Sequence, residues 1–323
     1  MRFATRVVAG GFALLASVAA FAYPDKPVTF IVPFSAGGDA DLAGRNLANA
    51  AQSILKQPMV VVNKAGASGG IGSQQVRDAA PDGYTLLIAR VGSNAVLPAL
   101  KRDLAYKWSD FTFIGLLELN PVVCVVHPES PYRTLADLER ALKANPGKLN
   151  YSSSGIGTIL HLGSAMLLQA YGVPPDTAAH VAYKGGSEAA LAVVTKDVHW
   201  SCGNLTSALA LLKGGKLRAI VTTTPERVKD IPDVPTAREQ GYPQLEAIVG
   251  WSALYGPPNL PAPIVARWSE TLAAVAKDAG WIGGEEKIGS IPRILPPRET
   301  ERFVAEQFKT YEQLGKQLNL QLN

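Results

Sequence analysis

The chain has 323 residues, 47% of them hydrophobic and 18% charged, with a formal charge of +4. That is more chain than one hydrophobic core fills comfortably, so two domains are expected, and the composition is that of an ordinary globular protein rather than a disordered or fibrous one. A charge so near balance, with no basic run and no basic stretch interleaved with aromatics, excludes nucleic acid as an expected partner.

The first 22 residues read as a secretory signal and not as part of the fold. Arg2 and Arg6 form a basic start, residues 7–18 an apolar run, and Ala20-Phe21-Ala22 a small-x-small cleavage site. An uncleaved anchor is the alternative, but the run is short against the roughly 20 residues that span a bilayer. No cysteine follows the run to take a lipid, and no later stretch is apolar enough to cross a membrane. An exported protein in the periplasm is expected.

Short apolar runs then alternate with amphipathic segments. Strands are predicted over residues 28–34, 59–63 and 84–89, and helices over 41–56 and 71–80, the latter stopped by Pro81-Asp82-Gly83. This order argues for a parallel sheet covered by helices, with right-handed crossovers putting the strand-to-helix loops on one edge. After Phe111 the rhythm resumes. Strands are predicted over 122–126, 149–153, 179–183, 198–202 and 217–223. The helices between them cover 135–144, with Thr134 as N-cap, 158–171, 187–195 and 205–213. A proline-rich connector over 225–243 leads to a strand over 247–255, and helices over 262–277 and 298–318 finish the chain. No short period repeats, which argues against a solenoid. Cys124 and Cys202 both fall in strand-like stretches. Two buried thiols are expected in preference to a disulfide, because sequence does not bring their Cα atoms within bridging distance.

Several enzyme signatures are missing. The chain has no His-Glu-x-x-His helix, no Cys-x-x-Cys pair and no phosphate-binding Gly-x-x-x-x-Gly-Lys-Ser/Thr loop. Gly70-Ile71-Gly72 and Gly155-Ile156-Gly157 each open a dinucleotide-like pattern that fails at Gln75 and Leu160. No two of His127, His161, His180 and His199 are spaced to share a helical face, so structural roles are expected for them. No cofactor, metal or catalytic residue is expected. What remains is four polar, glycine-rich loops after apolar strands: residues 35–41, 90–94, 152–158 and 184–187. In open α/β sheets ligands bind beyond the carboxyl ends of the strands, and free N–H groups at helix N-termini favour an anion. The loops therefore suggest a carboxylate or phosphate site, with ordinary tight turns as the alternative.

The loops also carry a family likeness. Pro33-Phe34-Ser35-Ala36-Gly37-Gly38-Asp39-Ala40-Asp41 through Arg45 resembles the first strand-to-helix loop of the Bug family, the TctC-type periplasmic receptors of tripartite tricarboxylate transporters. Asn63 through Gly72, Ala80-Pro81-Asp82-Gly83-Tyr84-Thr85-Leu86, Tyr151 through Thr158 with His161-Leu162, His180 through Gly185 and Asp230 through Thr236 resemble further family segments in the family's order. The resemblance implies an α/β, two-lobed type II periplasmic binding protein (Venus flytrap) fold. Lobe one would comprise residues 23–121 and 250–323, and lobe two 122–249, with crossings near Asn120 and Trp251.

It also implies a small organic carboxylate as ligand, a two-subunit membrane permease as partner and a monomeric receptor. One ligand carboxylate would be held by Phe34, Ser35, Ala36, Gly38 and Asp41 on lobe one and by Ser153, Ser154, Gly155 and Thr158 on lobe two. Asp41 has an alternative role in capping the helix or orienting a water.

Three departures from the family bear on specificity. Arg90 stands where a small residue is usual, and it would pair either with a second ligand carboxylate or with Asp39, itself a departure. Gly203 stands where relatives often carry Asp, leaving Asn204 as the nearby donor. An aromatic wall from Phe34 or Trp251 would suit an aromatic dicarboxylate such as terephthalate, whereas an Asp39 that engaged the ligand would suggest an amino or amide group. Two other functions stay open: a receptor feeding a sensor kinase, and a periplasmic hydrolase using Ser153 or Ser154.

Overall fold

The computed structural model describes residues 23–320 and residue 322. The expected signal segment lies outside them. The chain opens with β1 (Val28–Val32), α1 (Asp39–Leu55), β2 (Met59–Asn63), α2 (Gly70–Arg77) and β3 (Thr85–Arg90). A single π-helical turn (Gly92–Val96) leads into α3 (Leu97–Leu100) and then β4 (Thr112–Asn120). Pro121 alone separates β4 from β5 (Val122–Val126), which starts a second sheet. That lobe continues through α4 (Leu135–Ala144), β6 (Leu149–Ser153), α5 (Ile159–Ala170), β7 (Ala178–Ala182), α6 (Gly186–Val194), β8 (Trp200–Asn204), α7 (Leu205–Lys213) and β9 (Arg218–Thr222). The chain returns as β10 (Gly250–Gly256), followed by α8 (Ala262–Val275), α9 (Ala279–Lys287), β11 (Ile291–Leu295) and α10 (Pro297–Gln317).

The first sheet has the order β11-β4-β10-β3-β1-β2 and the second β7-β6-β8-β5-β9. The core of the first is the expected parallel unit, with β1 between β2 and β3. It is not parallel throughout. β10 inserts antiparallel between β3 and β4, because it re-enters from the other lobe, and β11 adds an antiparallel edge. In the second sheet β6 pairs in parallel with β7 and β8, while β5 runs antiparallel to β8 and β9.

Local sequence explains the elements. Apart from Thr29, β1 is an apolar, mostly β-branched run with every other side chain buried, the pattern of a central strand covered on both faces. α1 buries Ala40, Ala43, Leu47, Ala51 and Leu55, a helical stripe. Thr134 caps α4 as expected, its Oγ1 accepting from the Asp137 amide at 3.1 Å. Four labelled elements have no counterpart in the sequence reading: β4, α9, β11 and the four-residue α3, which is too short to show a helical period. In β4, Gly115, Glu118 and Asn120 interrupt the apolar pattern; α9 contains Gly283-Gly284; β11 carries Pro292 on a sheet edge.

The expectation of two free thiols is overturned. Cys124 and Cys202 face each other across the antiparallel β5–β8 pair and form a disulfide. Their 78-residue separation hides a direct cross-strand neighbourhood that only the sheet order creates.

The candidate ligand cleft

Each expected loop follows the carboxyl end of a strand, and the strands of both sheets aim these ends at one another. From lobe one, the β1–α1 loop begins at Pro33 and turns at Gly37, whose φ of +75° suits glycine. Asp41 lies behind this loop. Its carboxylate accepts from the Gly37 amide and from Arg45 Nε, both at 2.9 Å. Burial works against its charge, yet the bonds from Arg45 and Gly37 hold Asp41 below the usual carboxylate range. Asp41 Oδ2 is thus bonded within lobe one, and Asn63 Nδ2 adds a 3.1 Å bond to the Phe34 carbonyl.

From lobe two, the β6–α5 loop is tied from within. Ser153 Oγ donates to the Gly155 carbonyl at 3.0 Å, accepts from the Gly155 amide at 3.1 Å, and lies 2.6 Å from His180 Nε2. Thr158 Oγ1 donates to the same carbonyl at 2.8 Å. His161 Nδ1 accepts from the Gly157 amide at 3.2 Å, and its ring stacks on His180 with centroids 4.4 Å apart. Burial, reinforced by His180, pushes the His161 pKa down to about 4. His161 is therefore neutral at pH 7, and its acceptor nitrogen holds the loop.

The two sets of loops meet. The Ser35 amide donates to the Lys184 carbonyl at 3.3 Å, Ser187 Oγ to the Ala36 carbonyl at 3.3 Å, and Ser68 Oγ to the Ile156 carbonyl at 2.6 Å. Gly155 is required here. Its φ is +123°, and a Cβ would lie 2.5 Å from Ser68 Oγ. Between the loops is a cavity of about 10 Å³, the size of one water position. The lobes are closed on each other.

Five predicted residues line this cavity: Phe34, Arg90, Ser154, Thr158 and Asn204. Asp39, Val91, Gly92, Ile159, Leu160 and Gly186 complete it. Ser35, Ala36 and Gly38 sit on the rim, where the first two offer backbone groups to lobe two, and Asp41, Ser153 and Gly155 brace the loops from behind. Of the apolar members, Val91 falls within the 90–94 loop singled out in sequence, whereas Ile159 and Leu160 lie just past the 152–158 loop, and that adjacency was their only signal. Trp251 does not form the expected aromatic wall. It is fully buried against Phe303 in the core, leaving Phe34 as the cavity's aromatic face.

Arg90 resolves toward Asp39. Its Nη2 bonds Asp39 Oδ2, and its Nη1 bonds Glu118 Oε1 at 2.9 Å and also Ser252 Oγ. Glu118 bonds onward to Asn120, which accepts from Thr206 of lobe two. Near Glu118, burial and that carboxylate's charge push the Glu285 pKa well above the ordinary carboxylate range, up to about 8. A buried polar chain therefore runs from the cleft to the β4–β5 crossing.

A sequence family described as the tripartite tricarboxylate transporter family receptor matches residues 43–320. The chain belongs to that family. A solved structure of the periplasmic binding protein BugD is 30% identical, covering 93% of this chain and 99% of its own, with a TM-score of 0.87. MatC from Rhodopseudomonas palustris, solved with bound malate, is 29% identical over 90% of this chain and 99% of its own, with a TM-score of 0.84. Rpa4515 from R. palustris, solved with adipate, is 28% identical over 93% and 99%, with a TM-score of 0.88. The fold is accordingly the two-lobed α/β fold of periplasmic binding proteins.

Proposed function

We propose that this receptor captures a small organic carboxylate between its lobes in the periplasm and delivers it to the two membrane subunits of a tripartite tricarboxylate-type transporter. The observation that carries the reading is the convergence of the strand-end loops of both sheets on one closed cleft. The N-termini of α1, α5, α6 and α7 are turned toward it, and such termini favour an anion. The organic acids held by MatC and Rpa4515 support the same ligand class.

In this reading the receptor acts as a monomer, with lobe one as residues 23–121 and 250–323, lobe two as 122–249, and closure about the crossings near Asn120 and Trp251. One ligand carboxylate lies between the Phe34–Gly38 segment and the Ser154–Thr158 segment. Closure follows because the ligand touches both lobes and so stabilises the closed state over the open one. A terephthalate-like ligand draws support from Phe34 alone, since Trp251 is in the core and Arg90 already has carboxylate partners.

The chain acts without catalysis in this reading. Ser153 is fully buried, and its hydroxyl is engaged by Gly155 beside His180. Gly66-Ala67-Ser68-Gly69-Gly70 has the spacing of a hydrolase nucleophile elbow. Its hydroxyl, however, donates to Ile156, and among the described residues no histidine bonds it.

A thermal-shift panel of small organic acids tests the proposal. A tight binder at a thousandfold excess over its Kd raises stability by about 4 kcal/mol. A panel in which no carboxylate raises the melting temperature contradicts it. Carboxylate uptake in cells that carry the two membrane subunits, lost when this receptor is deleted, separates transport from signalling to a sensor kinase.

A further inference from the structure

The floor of the cleft carries one cation against two carboxylates. Arg90 is 2% exposed, and its guanidinium is shared between Asp39 and the fully buried Glu118. It is the only cationic side chain lining the cavity among the described residues. Asp39 itself is 8% exposed and lines the cavity at the first position of α1.

Both oxygens of Asp39, Oδ2 shared with Arg90 and Oδ1 not, also accept from across the cleft. Asn204 Nδ2 donates to Oδ2 at 2.5 Å and Ser207 Oγ to Oδ1 at 3.2 Å, and both donors belong to lobe two. Asp39 thus already behaves as an acceptor for N–H and O–H groups arriving from the far wall. Asn204 meanwhile turns its Nδ2 toward Asp39 and leaves its buried Oδ1 without a hydrogen-bond partner. A ligand donor between the two side chains would bond Asp39 directly, and rotation of the Asn204 amide would give it a second acceptor and satisfy that orphaned oxygen.

We infer that Asp39 makes this site select a carboxylate whose far end is a hydrogen-bond donor or cation, such as an ammonium or carboxamide, and discriminate against a second carboxylate. The inference rests on the carboxylate-capture reading for the near end of the ligand and adds the chemistry of the far end. A dicarboxylate reaching the floor meets Asp39 with no cation to spare. It must then either face a like charge or displace Asp39 from Arg90 and leave that aspartate buried and unpaired. A donor end meets neither penalty. A like-charge juxtaposition of this kind lowers affinity by on the order of a hundredfold.

Calorimetric titration of the full mature chain with a matched four-carbon series separates the possibilities: butanoate, succinate, succinamate and 4-aminobutanoate, with the six-carbon counterparts as a second series. The wild type is expected to bind a donor-ended member at least roughly tenfold more tightly than the dicarboxylate of equal length. In Asp39→Ser the order is expected to invert, because Arg90 Nη2 is then free for the dicarboxylate while Nη1 stays on Glu118. Asp39→Asn, which keeps the size and one acceptor, serves if the serine variant does not fold, and its donor-over-dicarboxylate preference is expected to collapse. A dicarboxylate that binds more tightly than its donor-ended partner in the wild type overturns the inference. So does an equal loss for every ligand in the variants. Either result leaves carboxylate capture standing. Failure of every member of both series to bind removes the carboxylate reading and this inference with it.

Discussion

Removing the Arg90 guanidinium is expected to destabilise the protein more than any surface substitution would. In Arg90→Met a side chain of similar length keeps the packing, but Glu118, fully buried, and Asp39, nearly so, both lose their cation. Breaking a buried ion pair from one side costs about 3–5 kcal/mol, because an uncompensated charge stays behind. Ser252 and Asn120 still donate to Glu118, which favours the lower part of that range. For a chain of this size each kcal/mol moves the melting temperature by roughly 2–4 °C, so a fall of about 6–12 °C is expected. Urea unfolding with a two-state fit measures the change directly. The triple variant Arg90→Met, Asp39→Asn, Glu118→Gln, which removes the orphaned charges, is expected to recover most of the loss. A single variant within about 0.5 kcal/mol of wild type, in the range of an ordinary surface substitution, would refute the buried-network account and return Arg90 to a purely ligand-facing role.

Other consequences are open to simple assays. Replacing Cys124 and Cys202 by Ser removes a link that closes a 78-residue separation; chain-entropy arguments give up to about 4.5 kcal/mol, and thiol titration of the unreduced, unfolded chain should find no free thiol. His161 has a folded pKa of about 4 against an ordinary value of 6.5. Below pH 6.5 the unfolded chain takes up a proton that the folded chain refuses. Stability from this group is therefore fully present above about pH 6.5 and falls toward pH 4, by about 3 kcal/mol, and His161→Gln should flatten that part of the profile. Gly155→Ala adds backbone strain of about 1–3 kcal/mol at a positive φ in either form and forces a Cβ against Ser68 of the other lobe only in the closed one, so ligand affinity should drop beyond any loss of stability measured by urea unfolding of the free protein.

Much of the architecture was legible because alternating strands and helices leave two different periods in a chain. The strand-end loops were visible for the same reason, since glycine and serine clusters punctuate those periods. What escaped depends on contacts between distant segments. β4 was missed because Glu118 and Asn120 break its apolar run, and they do so to serve the buried network. The antiparallel course of β10 depends on where the chain returns from lobe two. The disulfide follows from sheet order rather than from local sequence. At the site, Arg90 and Asp39 stood out as departures, but their pairing with each other and with Glu118 and Asn204 joins segments up to 165 residues apart. Trp251 illustrates the converse: a large aromatic near a crossing looks like a ligand wall until its fully buried packing against Phe303 is known.

The most direct test of the central claim is a crystal structure of the protein with a carboxylate bound. The carboxylate is expected between the Phe34–Gly38 segment and the Ser154–Thr158 segment, bonded by both lobes. A carboxylate bound with full occupancy elsewhere, with these loops untouched, would contradict it.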